Sequence, residues 1–346
     1  MSARWRAAVL GFTIVGAGVF AIALVSGVFY ERIQRVRDRD RFPQIGRPVD
    51  IGGRMLNIYC SGAGQPAVIF ESGSIWQYSN PKAMFENGAP RPGYSWVGIQ
   101  RELARVTTAC WYDRAGSGWS DLGPYPRDSA SQARDLHAVL QRAGVPPPYV
   151  LVAESSAALD ARVYTGFYQA EVAGLVLVDG VHPDFLIRTR PGSRRMARLP
   201  GFVGHSQDIE AQIINQIGLF RLGLKHRPAP EPPKGITPSE WNTIWHLTQS
   251  SKARSALLQD VACWGQSTAQ ARAAGSLGDR PLYVVSSESE AVAPEYRGVW
   301  MELQRDLAGL SSRGKMTVVD EGNGDLIYRA PDSIVEAVRQ AVRALR

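Results

Sequence analysis

Ser155 stands where an apolar run meets a helical pattern, in Tyr149-Val-Leu-Val-Ala-Glu-Ser155-Ser-Ala-Ala. A serine held on a tight strand-to-helix turn can present its hydroxyl to an acyl carbon. Such a turn ordinarily reads G-x-S-x-G, because Cβ atoms crowd it. Here the glycine positions are Ala153 and Ala157, the smallest residues that keep a Cβ. A serine opening a helix also serves commonly as an N-cap, so the local sequence leaves both readings open. A nucleophile would need a base, an acid to orient it and N–H donors for an oxyanion. The chain has five histidines, His137, His182, His205, His226 and His246, and none follows residue 246. Gly116 and Gly118 flank Ser117, but there is neither a Walker lysine nor G-x-G-x-x-G spacing, which argues against a nucleotide site. No His, Cys or Asp cluster has metal-ligand spacing, so neither metal nor cofactor is expected.

The elements that would position these residues alternate along the chain. Candidate strands are 54–60, 66–71, 106–112, 149–153, 174–178, 281–286 and 315–319. Several are continuous apolar runs, as in strands buried on both faces of a parallel sheet. Helical patterns lie at 97–105, 129–143, 156–169, 300–310 and 332–345, giving an α/β pattern. Residues 185–275 break the rhythm with an arginine-rich stretch, the Pro-rich Arg227–Lys234 and a helical region holding Trp241, Trp245 and Trp264. This reads as a helical insertion over the sheet.

With 346 residues, 45% apolar and 21% charged, the composition is that of a globular protein. A mean hydropathy of −0.17 excludes a polytopic membrane protein. The net charge of +7 would suggest nucleic acid, but seven arginines and three acids fall within residues 1–41. The basicity flanks Ala7–Tyr30, a run of 24 residues without a charge. As a helix that run would measure about 36 Å, enough for a hydrocarbon core of about 30 Å. Phe29-Tyr30-Glu31-Arg32 makes a poor signal-cleavage site, so the expectation is an uncleaved single-pass anchor and no nucleic-acid partner. Counting Lys and Arg favours a cytoplasmic C-terminal domain, and sidedness stays open.

Three further blocks lie after candidate strands: Phe70-Glu-Ser-Gly-Ser74, Tyr112-Asp-Arg-Ala-Gly-Ser-Gly-Trp-Ser-Asp121 and Val178-Asp-Gly-Val-His-Pro-Asp184. In this order, with Ser155 between the last two, they resemble the α/β-hydrolase family, specifically bacterial members with YDRAGxGWSD…YVLVGHSLGG…GLVLVDxxHPD. The resemblance covers about 46–184, skips the insertion and resumes at about 279–345. It implies a mostly parallel eight-stranded sheet flanked by helices, with a helical cap at about 185–275 on a domain spanning 42–346. It places Ser155 at the nucleophile, and backbone N–H groups of Ser156 and near Ser74 at the oxyanion hole. Glu288, Glu290 or Asp179 would be the acid. Asp179 reads equally as a loop-capping carboxylate. The family's histidine follows the last strand in a stretch like EGSGHxI; here that stretch is Glu321-Gly-Asn-Gly-Asp325-Leu-Ile, with Asp325 at the histidine position.

An aspartate has a reference pKa near 3.9 and is a poor base for an alcohol. Loss of the histidine from such a triad costs on the order of 10⁶ in kcat. His137 and His182 read as structural. His205, His226 and His246 belong to the insertion. Glu154, on a strand, should point away from its neighbour Ser155. Residues 76–95 add a loop that lines the site or simply covers surface. The expectation is therefore a non-catalytic or strongly impaired family member holding a hydrophobic ligand or partner. The alternative is an active esterase cleaving a small-molecule ester through Ser155 with a non-standard base. The implied sheet order makes the strands of Cys60 and Cys110 neighbours. Free thiols and a bridge both stay open, and a bridge would put the domain outside the cytoplasm.

Overall fold

The computed structural model describes residues 3–74, 90–189, 216–218, 221, 228–287, 292, 294–320 and 325–345. Eight strands form one sheet: β1 (Arg47–Asp50), β2 (Met55–Ser61), β3 (Ala67–Glu71), β4 (Ala109–Tyr112), β5 (Tyr149–Glu154), β6 (Val172–Val178), β7 (Leu282–Ser287) and β8 (Gly314–Val319). Their order is β1-β2-β4-β3-β5-β6-β7-β8. The β1–β2 and β2–β4 pairs are antiparallel and the others parallel. Every residue of β3, β4, β5 and β7 is buried, which is why these strands read as unbroken apolar runs rather than alternations. The edge strand β1, Arg-Pro-Val-Asp, buries only Val49 and gives too short an apolar signal to read.

Helices cover both faces. Leu136 and Val139 of helix Ser129–Arg142 and Leu159 and Tyr164 of helix Ala157–Phe167 pack on one face. Ile99 and Leu103 of helix Val97–Leu103 and Ile334 and Val338 of helix Pro331–Arg343 pack on the other. At about 1.5–3 kcal/mol per buried aliphatic side chain, this two-sided burial is the main force holding β5 and its turn in place. Cys60 and Cys110 face each other across β2 and β4 with Cα atoms 4.1 Å apart and form a disulfide.

Between β6 and β7 lie helices Phe185–Thr189, Pro238–Thr248, Ser251–Ala262 and Trp264–Ala273; the last three are called the cap helices. Thr237 and Glu240 close a capping box at the first, and Ser250 caps the second through Ala253 N–H. The cap is tied down by Arg101–Glu240, Arg114–Asp260 and Lys252 Nζ donating to Ser120 O.

The N-terminal helix runs unbroken from Ala3 to Arg41, eleven residues beyond the apolar run. It is long and apolar enough to cross a membrane, with mean hydropathy 2.3 in its most apolar window. Phe12, Phe20 and Ile22 are each at least 66% exposed, so this apolar surface is not spent on the protein core. Past Tyr30 the helix docks on the cap side. Buried Glu31 pairs with Arg221 and Arg35 and accepts from Ser251. Asp38 pairs with Arg221 and His246, and Phe42 stacks on His246 at 4.0 Å. A Cβ on Gly27 would lie 2.4 Å from the carbonyl oxygen of Ile217, so the close approach there requires glycine.

Candidate active site

Ser155 sits on the turn between β5 and helix Ala157–Phe167 with φ +53°, a left-handed conformation that is uncommon for a non-glycine residue. The turn is held by Ser155 N–H donating to Val178 O at 3.0 Å and Val181 N–H donating to Ser155 O at 3.0 Å. Gly73 fits against it: a Cβ there would lie 2.3 Å from Glu154 O and 2.8 Å from Ser156 N. The substitution of both turn glycines by alanine thus leaves the tight geometry intact. Ser155 does not act as a side-chain cap; its Oγ donates to the Ser74 carbonyl at 3.2 Å.

Ser74 N–H, one of the expected oxyanion donors, donates instead to Ser156 Oγ at 2.9 Å. The Ser156 side chain thereby closes a donor that an oxyanion would need. Ser74 Oγ donates to Asp260 Oδ2 at 3.0 Å, which sets a cap carboxylate beside the same corner. That carboxylate is balanced by Arg114, which also reaches Asp160 at 2.9 Å. Burial, reinforced by Asp160, raises the carboxyl of Glu71 beneath this network well above the usual range, and Tyr112 donates to it at 2.7 Å.

Asp179 follows β6, also in a left-handed conformation (φ +43°). Its carboxylate accepts from Ser287 N–H at 2.9 Å and from the hydroxyls of Ser286 and Ser287 at 2.8 and 3.1 Å. Burial pushes it up to about 6 despite these donors, and the nearby Asp325 charge adds to the rise. Asp325 lies at the start of the short helix Leu326–Arg329, close enough to act on both Asp179 and Glu154. Glu288 and Glu290 lie outside the described residues.

What stands beside Asp325 is an arginine the sequence did not single out. Arg91 closes the inserted loop: its N–H donates to Gly73 O at 3.0 Å, and its carbonyl accepts from Ser117 Oγ at 2.7 Å. Its side chain is buried and its guanidinium bridges two carboxylates, Glu154 at 3.4 Å and Asp325 in close contact, over the Tyr328 ring. Burial disfavours the charge, but Asp325 and Glu154 outweigh it and keep Arg91 cationic. Glu154 is pushed up to about 7, by burial first, with Arg91 opposing and Asp325 adding. Its Oε2 accepts from Gly73 N–H at 3.3 Å. Arginine cannot serve as a neutral base, so the centre of this cluster has charge but no proton acceptor of imidazole type.

The described histidines are engaged elsewhere. His246 faces Asp38 and Phe42 of the N-terminal segment. His137 stacks on Tyr168 and meets Glu171. His182 accepts from Asp184 N–H and is pushed down to about 4 by burial. His205 and His226 lie outside the described residues. Among the described residues, no three His, Cys, Asp or Glu side chains converge to hold a metal ion.

The strand order, the left-handed serine after β5 and the helices between β6 and β7 define the α/β-hydrolase fold. The family model described as alpha/beta hydrolase fold matches residues 84–206. The chain has the same fold as a thermophilic esterase from Thermogutta terrifontis (TM-score 0.53, 17% identity, 87% of this chain and 99% of that one). It also matches the haloalkane dehalogenase DbeA from Bradyrhizobium elkani (TM-score 0.58, 16% identity, 86% and 97%). The match over residues 84–206 and the shared fold support an α/β-hydrolase relationship for this chain. In sequence it is similar to an uncharacterized protein of Bacillus subtilis (25% identity over 179 residues, 52% of this chain and 51% of that protein). It is also similar to an uncharacterized vacuolar membrane protein of Saccharomyces cerevisiae (30% over 112 residues, 31% and 17%). The chain thus spans about half or less of the length of these curated relatives.

Proposed function

We propose that this protein is a single-pass membrane-anchored α/β-hydrolase homologue whose serine site is catalytically silent and holds a ligand or partner rather than turning one over. The observation that carries this reading is the Arg91 guanidinium between Glu154 and Asp325, with Asp325 at the histidine position. Ser155 then has the geometry of a nucleophile without a base. The Ser74 N–H taken by Ser156 Oγ supports the same reading, since a lost oxyanion donor costs about 10²–10³ in kcat. Residues 42–346 form the hydrolase domain in this proposal, with the cap at about 185–275. The Cys60–Cys110 disulfide favours an extracytoplasmic domain over the opposite orientation suggested by the arginines, because disulfides persist in oxidising compartments.

The test is hydrolysis of p-nitrophenyl esters, with a fluorophosphonate probe alongside. Wild type is expected to match Ser155→Ala in rate, and Ser155 to stay unlabelled. A second reading keeps Ser155 as an active esterase nucleophile. It is favoured by the retained left-handed turn and by a neighbouring carboxyl, Glu154, poised at about 7. Stoichiometric labelling at Ser155 and a Ser155-dependent rate would establish that reading and remove the first.

A further inference from the structure

Four arginines are buried among the described residues, and three of them face carboxylates. Arg91 lies between Glu154 and Asp325, Arg114 between Asp160 and Asp260, and Arg127 meets Asp135 at 2.6 Å. Arg162 differs. It is 4% exposed, makes no ion pair among the described residues, and its Nε and Nη1 donate to no acceptor there. Burial pushes it down to about 10, with Asp184 opposing and Arg272 adding, so it keeps its charge at neutral pH. A buried charge is costly unless a counter-charge meets it.

Packing places this guanidinium. Ala158, Arg162 and Gly166 follow at four-residue spacing on one face of helix Ala157–Phe167. At one end of that face a Cβ on Gly180 would lie 3.0 Å from the Ala158 Cβ, and at the other a Cβ on Gly166 would lie 3.4 Å from the Ala274 Cβ. Arg162 therefore sits in the corner between the turn His182-Pro183-Asp184 and the end of the last cap helix. Arg272 spans the rim, donating to Asp184 Oδ1 at 2.6 Å and to Pro183 O at 2.7 Å. The two side chains of that pair are 37% and 42% exposed, so parting one surface ion pair opens the corner to solvent. His182, close enough to feel both arginines, is neutral. Its Nδ1 accepts from Asp184 N–H, so its own proton is on Nε2. Arg272 and Asp184 cancel, and Asp306 is exposed to screening water. One positive charge remains, which a monoanion matches, and the planar guanidinium suits a carboxylate.

We propose that this corner binds a small carboxylic acid, as its anion, on the Arg162 guanidinium, with His182 Nε2–H as a second donor. The site lies apart from the Ser155 hydroxyl, and the proposal holds whether or not that serine is catalytic.

Thermal melts of the full chain in detergent are compared in sodium chloride, sodium acetate and sodium phosphate at equal ionic strength, for wild type and R162M. The difference between the two proteins cancels general salt effects. In chloride R162M should melt at or above wild type, because an apolar side chain replaces an uncompensated charge. Saturating acetate should raise wild type relative to R162M by about 2–4 °C. A wild type above R162M by the same margin in all three salts overturns the proposal and makes Arg162 purely structural. A larger relative gain in phosphate than in acetate overturns the carboxylate in favour of a phosphate ligand. Should R162M not fold, wild type alone decides. It should broaden the resonance of 13C-labelled acetate, and excess unlabelled acetate should restore the line; no broadening beyond that of detergent alone overturns the site.

Discussion

Arg91 holds its charge where water hardly reaches, and only the carboxylates of Glu154 and Asp325 make that tolerable. Removing one member of such a buried group leaves its partners uncompensated, so a rebuilt site must change the arginine and the aspartate together. Arg91→Gln with Asp325→His should place an imidazole opposite Asp179 and raise Ser155-dependent ester hydrolysis by about 10²–10⁴ over wild type; adding Ser156→Ala should free Ser74 N–H and raise it further. A rate unchanged by Ser155→Ala in that background would show that the turn no longer presents its hydroxyl. Glu154 gives a separate readout. Its folded pKa of about 7 exceeds the unfolded value of about 4.3. Its contribution to stability is therefore complete below about pH 4 and is lost as the pH rises through about 7. Wild type should lose about 2–4 kcal/mol relative to Glu154→Gln between those limits. The slope of the difference in denaturant titrations is the measurement, because the absolute stability of the variant also reflects Arg91. The placing of Ser155 on the turn after β5 and of Asp325 after β8 was legible from motif order. Arg91 was not, because a charged residue in an inserted loop carries no periodicity and its partners come from β5 and the far end of the chain.

At the scale of elements, burial on both faces made most strands readable, and the same burial explains the one that was missed. The strand β1 has one buried side chain and a proline, and neither makes a pattern. Pairing register could not be read from residue types alone. The implied strand order made Cys60 and Cys110 neighbours but did not decide whether they bond; facing each other across β2 and β4, they do. The bridge closes a loop with a sequence separation of 50, which the chain-entropy treatment equates with about 4 kcal/mol and measured cases with about 2–4. Cys60→Ala/Cys110→Ala should therefore lower stability by that amount in denaturant melts. Non-reducing peptide mapping of wild type should recover the two cysteines linked, with Cys263 alkylated. Recovery of Cys60 and Cys110 both alkylated would remove the bridge and with it the argument for an oxidising compartment.

At the scale of the molecule, the change from apolar to charged composition at Glu31 suggests a boundary, yet the helix continues through it. Residues 31–42 are part of the folded body, through Glu31, Asp38 and Phe42. Their partners Arg221, His246 and Ser251 lie in the insertion, so no local pattern could reveal the contact. Deleting residues 1–30 should yield a soluble protein. Deleting 1–41 should yield one less stable by roughly 1–3 kcal/mol, because a partly buried ion cluster is broken but Arg221 regains water. Thermal melts of the two truncated chains make the comparison, and equal midpoints would show that the docked segment contributes nothing to folding.

A helix that passes unbroken from the apolar run into the folded body is also a lever. The run of about 36 Å exceeds a hydrocarbon core of about 30 Å, and excess length is accommodated partly by tilt. In the proposed anchored arrangement, a flexible linker would let the domain ignore that tilt. Here Gly27 against Ile217 and Glu31 against Arg221 couple the angle of the helix to the attitude of the whole hydrolase body. Bilayer thickness would then set which part of the cap faces the lipid, and a thinner or thicker membrane would present a different side of the same protein.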